Sequence, residues 1–422
     1  MSLDSAARTH PPAYPPPRSS ATAVPEDYAR LRAEQPVAEV TLPSGDTGYL
    51  VSRYEDARTV LSDPRCSRAA TVRPGAPRLT AVPFEAGGLF TMDPPEHTRL
   101  RGLVSRAFTP RRVELMRPRL AGLATELADA MEEAGAPADL NESFAFPFPV
   151  AVICELLGVP YADRERFRRW SDAILSLTAH TPEEMRGHRD ALLAYLQDLV
   201  TEKRRDPGDD LLSALITLRD TEADTEGEGD TDAEGEGGDG DGGNGLDEHE
   251  LLTMAMTLLI AGHETTVGVL GTSVLTLLRH AGRMSLVPDD DQLATMVEEL
   301  LRLNPIGDGG PLRVTTAPVE IAGCPVPAGS AVIASICSAN HDEARFPSPA
   351  AFLPGRAPAH LAFGHGPHYC LGAPLARAEL QIALRTLATR FPTLRLTTPP
   401  ETLTLHTGLL VNRLTSLPVT WN

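Results

Sequence analysis

The sequence predicts a mainly α-helical protein with a small β portion, and three observations lead there. Four segments repeat apolar residues at three-to-four spacing: "RVELMRPRLAGLATELADAMEEAG", "ALLAYLQDLVTEKRR", "DQLATMVEELLRL" and "PLARAELQIALRTLATRF". Three stretches alternate as half-buried strands do: "TGYLVSR", "VEIAGCPVPAGSAVIASI" and "LTLHTGLLVNRLTSLPVTW". A long apolar run, residues 251–278, could cross a bilayer by length. His263 and Glu264 at its centre would be costly in lipid, so it reads as a buried helix of a soluble protein.

Taken from the N-terminus, residues 1–25 are proline-rich and lack an apolar signal core, which predicts a flexible leader. Residues 26–422 read as one domain, because no internal repeat occurs and helical patterns flank both sides of the one low-complexity segment. In "DPPEHTRLRGLVSRAFTPRR" the prolines start a helix that sets His97 and Arg101 one turn apart on one face. Seven arginines between Arg99 and Arg119, against the single acid Glu114, make that region locally basic. Residues 220–245 are Gly/Asp/Glu and hold too little apolar surface to offset chain entropy, which predicts a disordered acidic loop. Residues 220–250 carry 14 acids and no lysine or arginine, so of the net charge of −19 only about −5 belongs to the rest. Global charge therefore gives nucleic-acid binding no support. In "EELLR", Glu299 and Arg302 stand at the i, i+3 spacing of an ordinary helical ion pair. The five cysteines are odd in number and scattered, with no CxxC pair, which points to a reducing, intracellular compartment.

The chemistry concentrates in "AFGHGPHYCLGAPLARAEL", where Cys370 sits among Gly364, Gly366 and Gly372 just before a helix start. Three readings compete there. A zinc site could use His365, His368 and Cys370, but lacks a fourth ligand at familiar spacing. A cysteine nucleophile could take His368 as its base. A thiolate held against a flat cofactor explains more: the glycines admit close backbone approach, and amides at the helix start stabilise a negative sulfur. The second cluster, "AGHETT" at residues 261–266, lies inside the apolar helix. It is either a satisfied buried polar patch, with hydroxyls bonded back to carbonyls one turn earlier, or a functional one.

"FGHGPHYCLG" resembles the haem-binding signature of the cytochrome P-450 superfamily, F-G-x-G-x-[HR]-x-C-x-G. Phe363, Gly364, Gly366, His368, Cys370 and Gly372 fill its fixed positions. Three more motifs stand in the family's order. "AGHETT" resembles the oxygen-binding helix, [AG]-G-x-[DE]-T-[TS]. "EELLR", with Arg356 of "FPSPAAFLPGR", resembles the family's E-x-x-R and its later arginine. "DPPEHTRLRG" resembles the helix that holds the haem propionates. Two positions depart: Leu353 stands where the family often has aspartate, and Asn412–Arg413 where an Arg–Gly pair is common.

The resemblance implies the cytochrome P-450 fold, a helix-rich triangular prism around a long central oxygen-binding helix, and a bacterial, soluble, cytoplasmic monooxygenase. It implies haem b (iron protoporphyrin IX) as cofactor, with Cys370 as the axial iron ligand and Phe363 as a shield over the sulfur. Gly364, Gly366, Gly372, Ala261 and Gly262 would give the cofactor clearance, and His97, Arg101, Arg313 and His368 would hold its propionates. Thr265 and Glu264 would be the catalytic pair that positions water and delivers protons, on a helix distorted at that point. Glu299, Arg302 and Arg356 would form a structural ion-pair trio. Electrons would come from NAD(P)H through a separate ferredoxin reductase and ferredoxin, docking near Arg99–Arg119 on the Cys370 face of a monomer.

The implied reaction inserts one O2-derived oxygen atom into a hydrophobic organic metabolite, by hydroxylation or epoxidation, as a tailoring step of secondary metabolism such as antibiotic biosynthesis. Phe90, Ile260, Ala261, Leu312 and Leu410 are the implied substrate contacts. The rivals are a haem-thiolate peroxygenase or oxidative coupling enzyme, a haem sensor without turnover, and a structural zinc protein.

Overall fold

Helix signals in the sequence turn into helix ends with defined caps. In a computed structural model that describes residues 11–227, 246–282, 284, 287, 290–356 and 359–421, the first half of the chain runs α1 (Asp27–Glu34), β1 (Val37–Thr41), β2 (Thr47–Val51), α2 (Tyr54–Ser62), β3 (Cys66–Ser67), α3 (Glu96–Ser105), α4 (Pro110–Ala134), β4 (Ala138–Asp139), α5 (Pro147–Leu157), α6 (Arg164–Ile174) and α7 (Pro182–Arg205). There follow α8 (Leu211–Gly227), α9 (Glu248–Ala281), α10 (Asp290–Leu303), β5 (Arg313–Thr315), β6 (Val319–Ile321), β7 (Cys324–Val326), β8 (Ala331–Ala334), α11 (Ile336–Ala339), α12 (Ala373–Arg390), β9 (Arg395–Leu396) and β10 (Pro418–Thr420). Thr181 and Glu184 close a capping box on α7, and Asp247 and Glu250 close one on α9; each satisfies two amides that a helix start leaves free.

Helix α9 is apolar all round because it is packed all round. It passes between α5, α7, α10 and α12, and 83% of its most apolar window is buried inside the protein. Its length and composition alone would suit a membrane span, but its partners here are other helices. The principal sheet, in the order β1-β2-β8-β5-β3, is antiparallel except for the parallel pair β2 and β8. Two small sheets, β4-β10-β9 and β6-β7, complete the β portion.

Three expectations change. The leader is packed down from residue 11 onward. Tyr14 is buried, its amide bonds to Thr41 O, and Arg18 forms a 2.8 Å ion pair with Asp308. Proline has little freedom to lose on ordering, so two side-chain anchors suffice. The acidic segment does not begin as a loop. Helix α8 continues to Gly227, steadied at Asp220 by Arg204 and Arg219, while residues 228–245 lie outside the described residues. The alternating C-terminal stretch is mostly loop: Leu405 and Leu414 share a single bridge, and a strand forms only at β10. Between them Leu410 and Asn412 donate their amides to Leu175 O and Ile306 O, so this segment serves as a cavity wall rather than as sheet.

Candidate active site

The loop before α12 is built around Cys370. Its amide donates to Phe363 O at 2.8 Å, Gly364 N to Leu361 O at 2.8 Å, and Tyr369 N to Gly366 O at 3.0 Å. Gly366 has φ +72°, and a Cβ there would come within 2.8 Å of Leu61 O, so only glycine fits. Phe363 is pinned by the Arg377 guanidinium 4.5 Å from its ring centre, and Glu298 holds Arg377 by two bonds of 2.7 and 2.8 Å. Cys370 is accessible, and it lines a cavity of about 280 Å³. Burial pushes its thiol up. The amide of Gly372, the charges of Arg101 and Arg377, and the amide of Ala373 pull in the opposite direction. Among the described residues no cluster of His, Cys, Asp or Glu could hold a metal ion, which leaves the zinc reading without a ligand set, and no hydrogen bond joins His368 to Cys370 as a nucleophile–base pair would require.

The facing wall belongs to α9. Ala261, Gly262 and Thr265 line the cavity, and Thr265 Oγ1 donates to Ala261 O at 2.9 Å. The helix is unbroken from Glu248 to Ala281, so the distortion expected beside Thr265 is absent from its backbone. Gly262 answers a packing demand as well: a Cβ there would lie 2.5 Å from Ile153 Cδ1 of α5. Gly262→Ala is therefore expected to lower stability by about 1–3 kcal/mol, read as a lower denaturant midpoint at unchanged m-value.

Glu264 faces away from the cavity. It is 3% exposed, and Oε2 accepts from Arg413 Nη1 at 3.2 Å. Oε1 lies 3.1 Å from His263 Nε2 without forming an aligned hydrogen bond. Burial alone would raise this carboxyl; His263 and Arg413 outweigh it and hold it below the usual carboxylate range. Arg413 also pairs with Asp172 of α6 at 2.9 Å. The sequence signal was the Asn412–Arg413 departure, which reads as local turn geometry until folding sets it against α9.

Nitrogen donors gather beside Cys370. His97, Arg101 and His368 line the cavity, with the His97 and His368 rings 4.2 Å apart and Arg101 Nη2 donating to Tyr369 O at 2.7 Å. Arg313 stands behind them, its guanidinium bonded to Pro311 O and Leu61 O. The guanidinium at the wall beside it is Arg68, which the motif reading passed over. Burial lowers the basicity of Arg313 to about 10, and burial together with cationic neighbours lowers Arg68 to about 9 and His368 to about 3. Asp93, the carboxylate that acts on Arg68, His97 and Arg313, is occupied by Ser67 Oγ and the amides of Arg68 and Ala69. A cavity with a thiol on one wall, converging imidazole and guanidinium donors, and open space where a Cβ of Gly372 would stand fits a flat cofactor bearing carboxylates.

The trio is brought together. Glu299 accepts from Arg302 at 2.7 and 2.8 Å, from Arg356 at 2.9 Å and from the Leu353 amide at 3.0 Å. Glu299 and Arg302 are almost fully buried, unlike the surface pair their spacing suggests. A second, contiguous chamber is lined by Phe90, Ile260, Ala261, Leu312 and Leu410 together with Arg68 and Thr265. Glu379 of α12 also lines the thiol cavity and was missed. Burial pushes its carboxyl well up, and one oxygen has no hydrogen-bond partner.

The family model for cytochrome P450 matches residues 35–285 and 291–417. Nocardicin C N-oxygenase from Nocardia uniformis subsp. tsuyamanensis is 47% identical over 398 residues, 93% of this chain and 94% of that protein. Mycinamicin IV hydroxylase/epoxidase from Micromonospora griseorubida is 43% identical, over 93% of this chain and 94% of its own. Among solved structures, SgvP, a thioether-synthase candidate in griseoviridin tailoring, superposes with a TM-score of 0.88 at 47% identity, covering 98% of this chain and all of that one.

Proposed function

The chain belongs to the cytochrome P450 family of haem oxidoreductases, and from that premise we propose that it is a tailoring monooxygenase acting on a hydrophobic metabolite. One observation carries the reading: the Cys370 sulfur opens onto a cavity whose opposite wall is Ala261 and Thr265, with His97, Arg101 and His368 converging beside it. Bound through Cys370, haem supplies the family's chemistry of O2 activation and single-oxygen transfer.

The residues divide that work. The amides of Gly372 and Ala373 stabilise negative charge on Sγ. His97, Arg101 and His368 orient the cofactor's carboxylates, with Arg313 behind them. Thr265 Oγ1 holds a proton at the boundary of both chambers, while Glu264 stores negative charge one residue away. Phe90, Ile260, Leu312 and Leu410 exclude water and hold the substrate's apolar body. The relatives' names span N-oxygenation, hydroxylation and epoxidation, and the same architecture serves each of them.

Electrons reach the site from NAD(P)H through a ferredoxin and its reductase. Arg106, Arg111 and Arg112 are exposed and offer an acidic partner a docking face, whereas Arg99, Arg117 and Arg119 are engaged by Glu250, Glu114 and Glu155. The enzyme would work in the cytoplasm as a monomer.

The test is a spectrum. Reduced, carbon-monoxide-bound protein is expected to show the red-shifted Soret band of thiolate-ligated haem; colourless, zinc-loaded protein would overturn the reading. Turnover with NAD(P)H, ferredoxin and reductase, absent with hydrogen peroxide alone, separates the monooxygenase from a peroxygenase.

A further inference from the structure

Arg68 is a buried guanidinium that forms no ion pair among the described residues. It is 3% exposed and projects from the turn after β3. Its Nε donates to Phe90 O at 2.6 Å and its Nη1 to Leu312 O. Its Nη2 has no protein partner among the described residues, and the side chain lines both chambers. Asp93 is close, yet its oxygens serve Ser67 and backbone amides and form no ion pair with this guanidinium. Among the described residues the only carboxylate on the wall of the second chamber is Glu85, which Arg189 already holds at 2.6 Å. Arg78 adds another cation at the same wall, its side chain forming no ion pair among the described residues. An unpaired buried charge is expensive, and a leucine would fill this apolar wall without that penalty.

We propose that Arg68 anchors the substrate, and that the substrate is an organic acid whose carboxylate docks on Nη2 while its apolar body lies along Phe90, Ile260 and Leu312. The inference rests on the thiol cavity being the haem site. The carboxylates of a haem in that cavity would be held by His97, Arg101 and His368, none of which lines the second chamber. Arg68 is different: the carbonyls that aim its fork belong to Phe90 and Leu312, both on the second chamber's wall. Burial and the neighbouring Arg313 lower its basicity to about 9, so it remains a cation at neutral pH and keeps a carboxylate-matching fork.

Calorimetric titration of haem-loaded protein with two matched pairs tests this: 4-phenylbutyrate against its methyl ester, and N-benzoylphenylalanine against its methyl ester. At least one acid is expected to bind the wild type about 10-fold tighter than its ester, equivalent to about 1.4 kcal/mol. Arg68→Gln is expected to erase that ratio and Arg68→Lys to keep part of it, both with wild-type haem content and carbon-monoxide spectrum. An acid-to-ester ratio near one in the wild type overturns the proposal without any variant, and so does a ratio that survives Arg68→Gln. Loss of haem from Arg68→Gln would assign the residue to the cofactor's cradle instead, which also overturns it. Failure of the haem reading itself shows separately, as a wild type without the thiolate spectrum.

Discussion

Arg302→Ala is expected to destabilise the protein by about 3–5 kcal/mol, enough to remove most folded, haem-binding material at growth temperature. The size follows from what the guanidinium holds. It binds Glu299 through two bonds and also donates to Asn340 O and Pro349 O, each at 2.8 Å. Its removal leaves a carboxylate only 2% exposed with Arg356 as its remaining cationic partner, and strips the carbonyls of Asn340, Pro349 and Ala351 of a donor. The damage reaches the active site because Asn340 Oδ1 accepts the Leu361 amide at 2.7 Å, at the head of the Cys370 loop. Arg302→Lys should rescue little, since an ammonium cannot reproduce the two-pronged fork. Denaturant midpoint, soluble yield and bound haem are the measurements; a loss under about 1 kcal/mol would mean the trio is ornamental.

Glu264→Gln is expected to lower product formation by about 100-fold while folding and haem content stay near wild type, as removal of a proton-handling acid does. Arg413→Leu tests how that acid is set. Without the guanidinium, His263 alone opposes burial and the Glu264 carboxyl rises from its wild-type position, so the acidic limb of the pH–rate profile should move to higher pH. Stability follows the same sign. In the wild type the folded-state value lies below the unfolded one, so the contribution is present above about pH 4.3 and is lost as pH falls through the folded value. In Arg413→Leu the carboxyl is held down less, so less of this pH-dependent stability should be present above that range. Identical pH profiles for wild type and Arg413→Leu would deny Arg413 its role.

Much of this was legible in the sequence where chemistry lies in a short run of residues. The Cys370 loop needs glycine at positive φ beside the thiol, and that requirement is written in consecutive letters. Helix α9 could be found because a fully packed helix must be apolar all round, and the polar cluster at residues 261–266 then stands out against it. Glu299 and Arg302 were visible as a spacing, but their burial was not, because an i, i+3 pair looks the same on a surface and in a core.

Other features depended on residues far apart in sequence. Arg68 looks like any loop arginine until the carbonyls of Phe90 and Leu312 aim it into the cavity, and Arg413 looks like a turn residue until it meets Glu264, 149 positions earlier. The leader reads as flexible because composition reports chain entropy and omits the partners, Thr41 and Asp308, that hold it down. The sequence by itself determined the helical architecture, the cysteine loop on the cavity wall and the polar cluster in the helix opposite, since each is a local demand on residue type. Only the tertiary structure decided which charges are buried, which are paired and which one is left open toward a substrate, because an ionised group's role depends on burial and on neighbours that folding alone supplies.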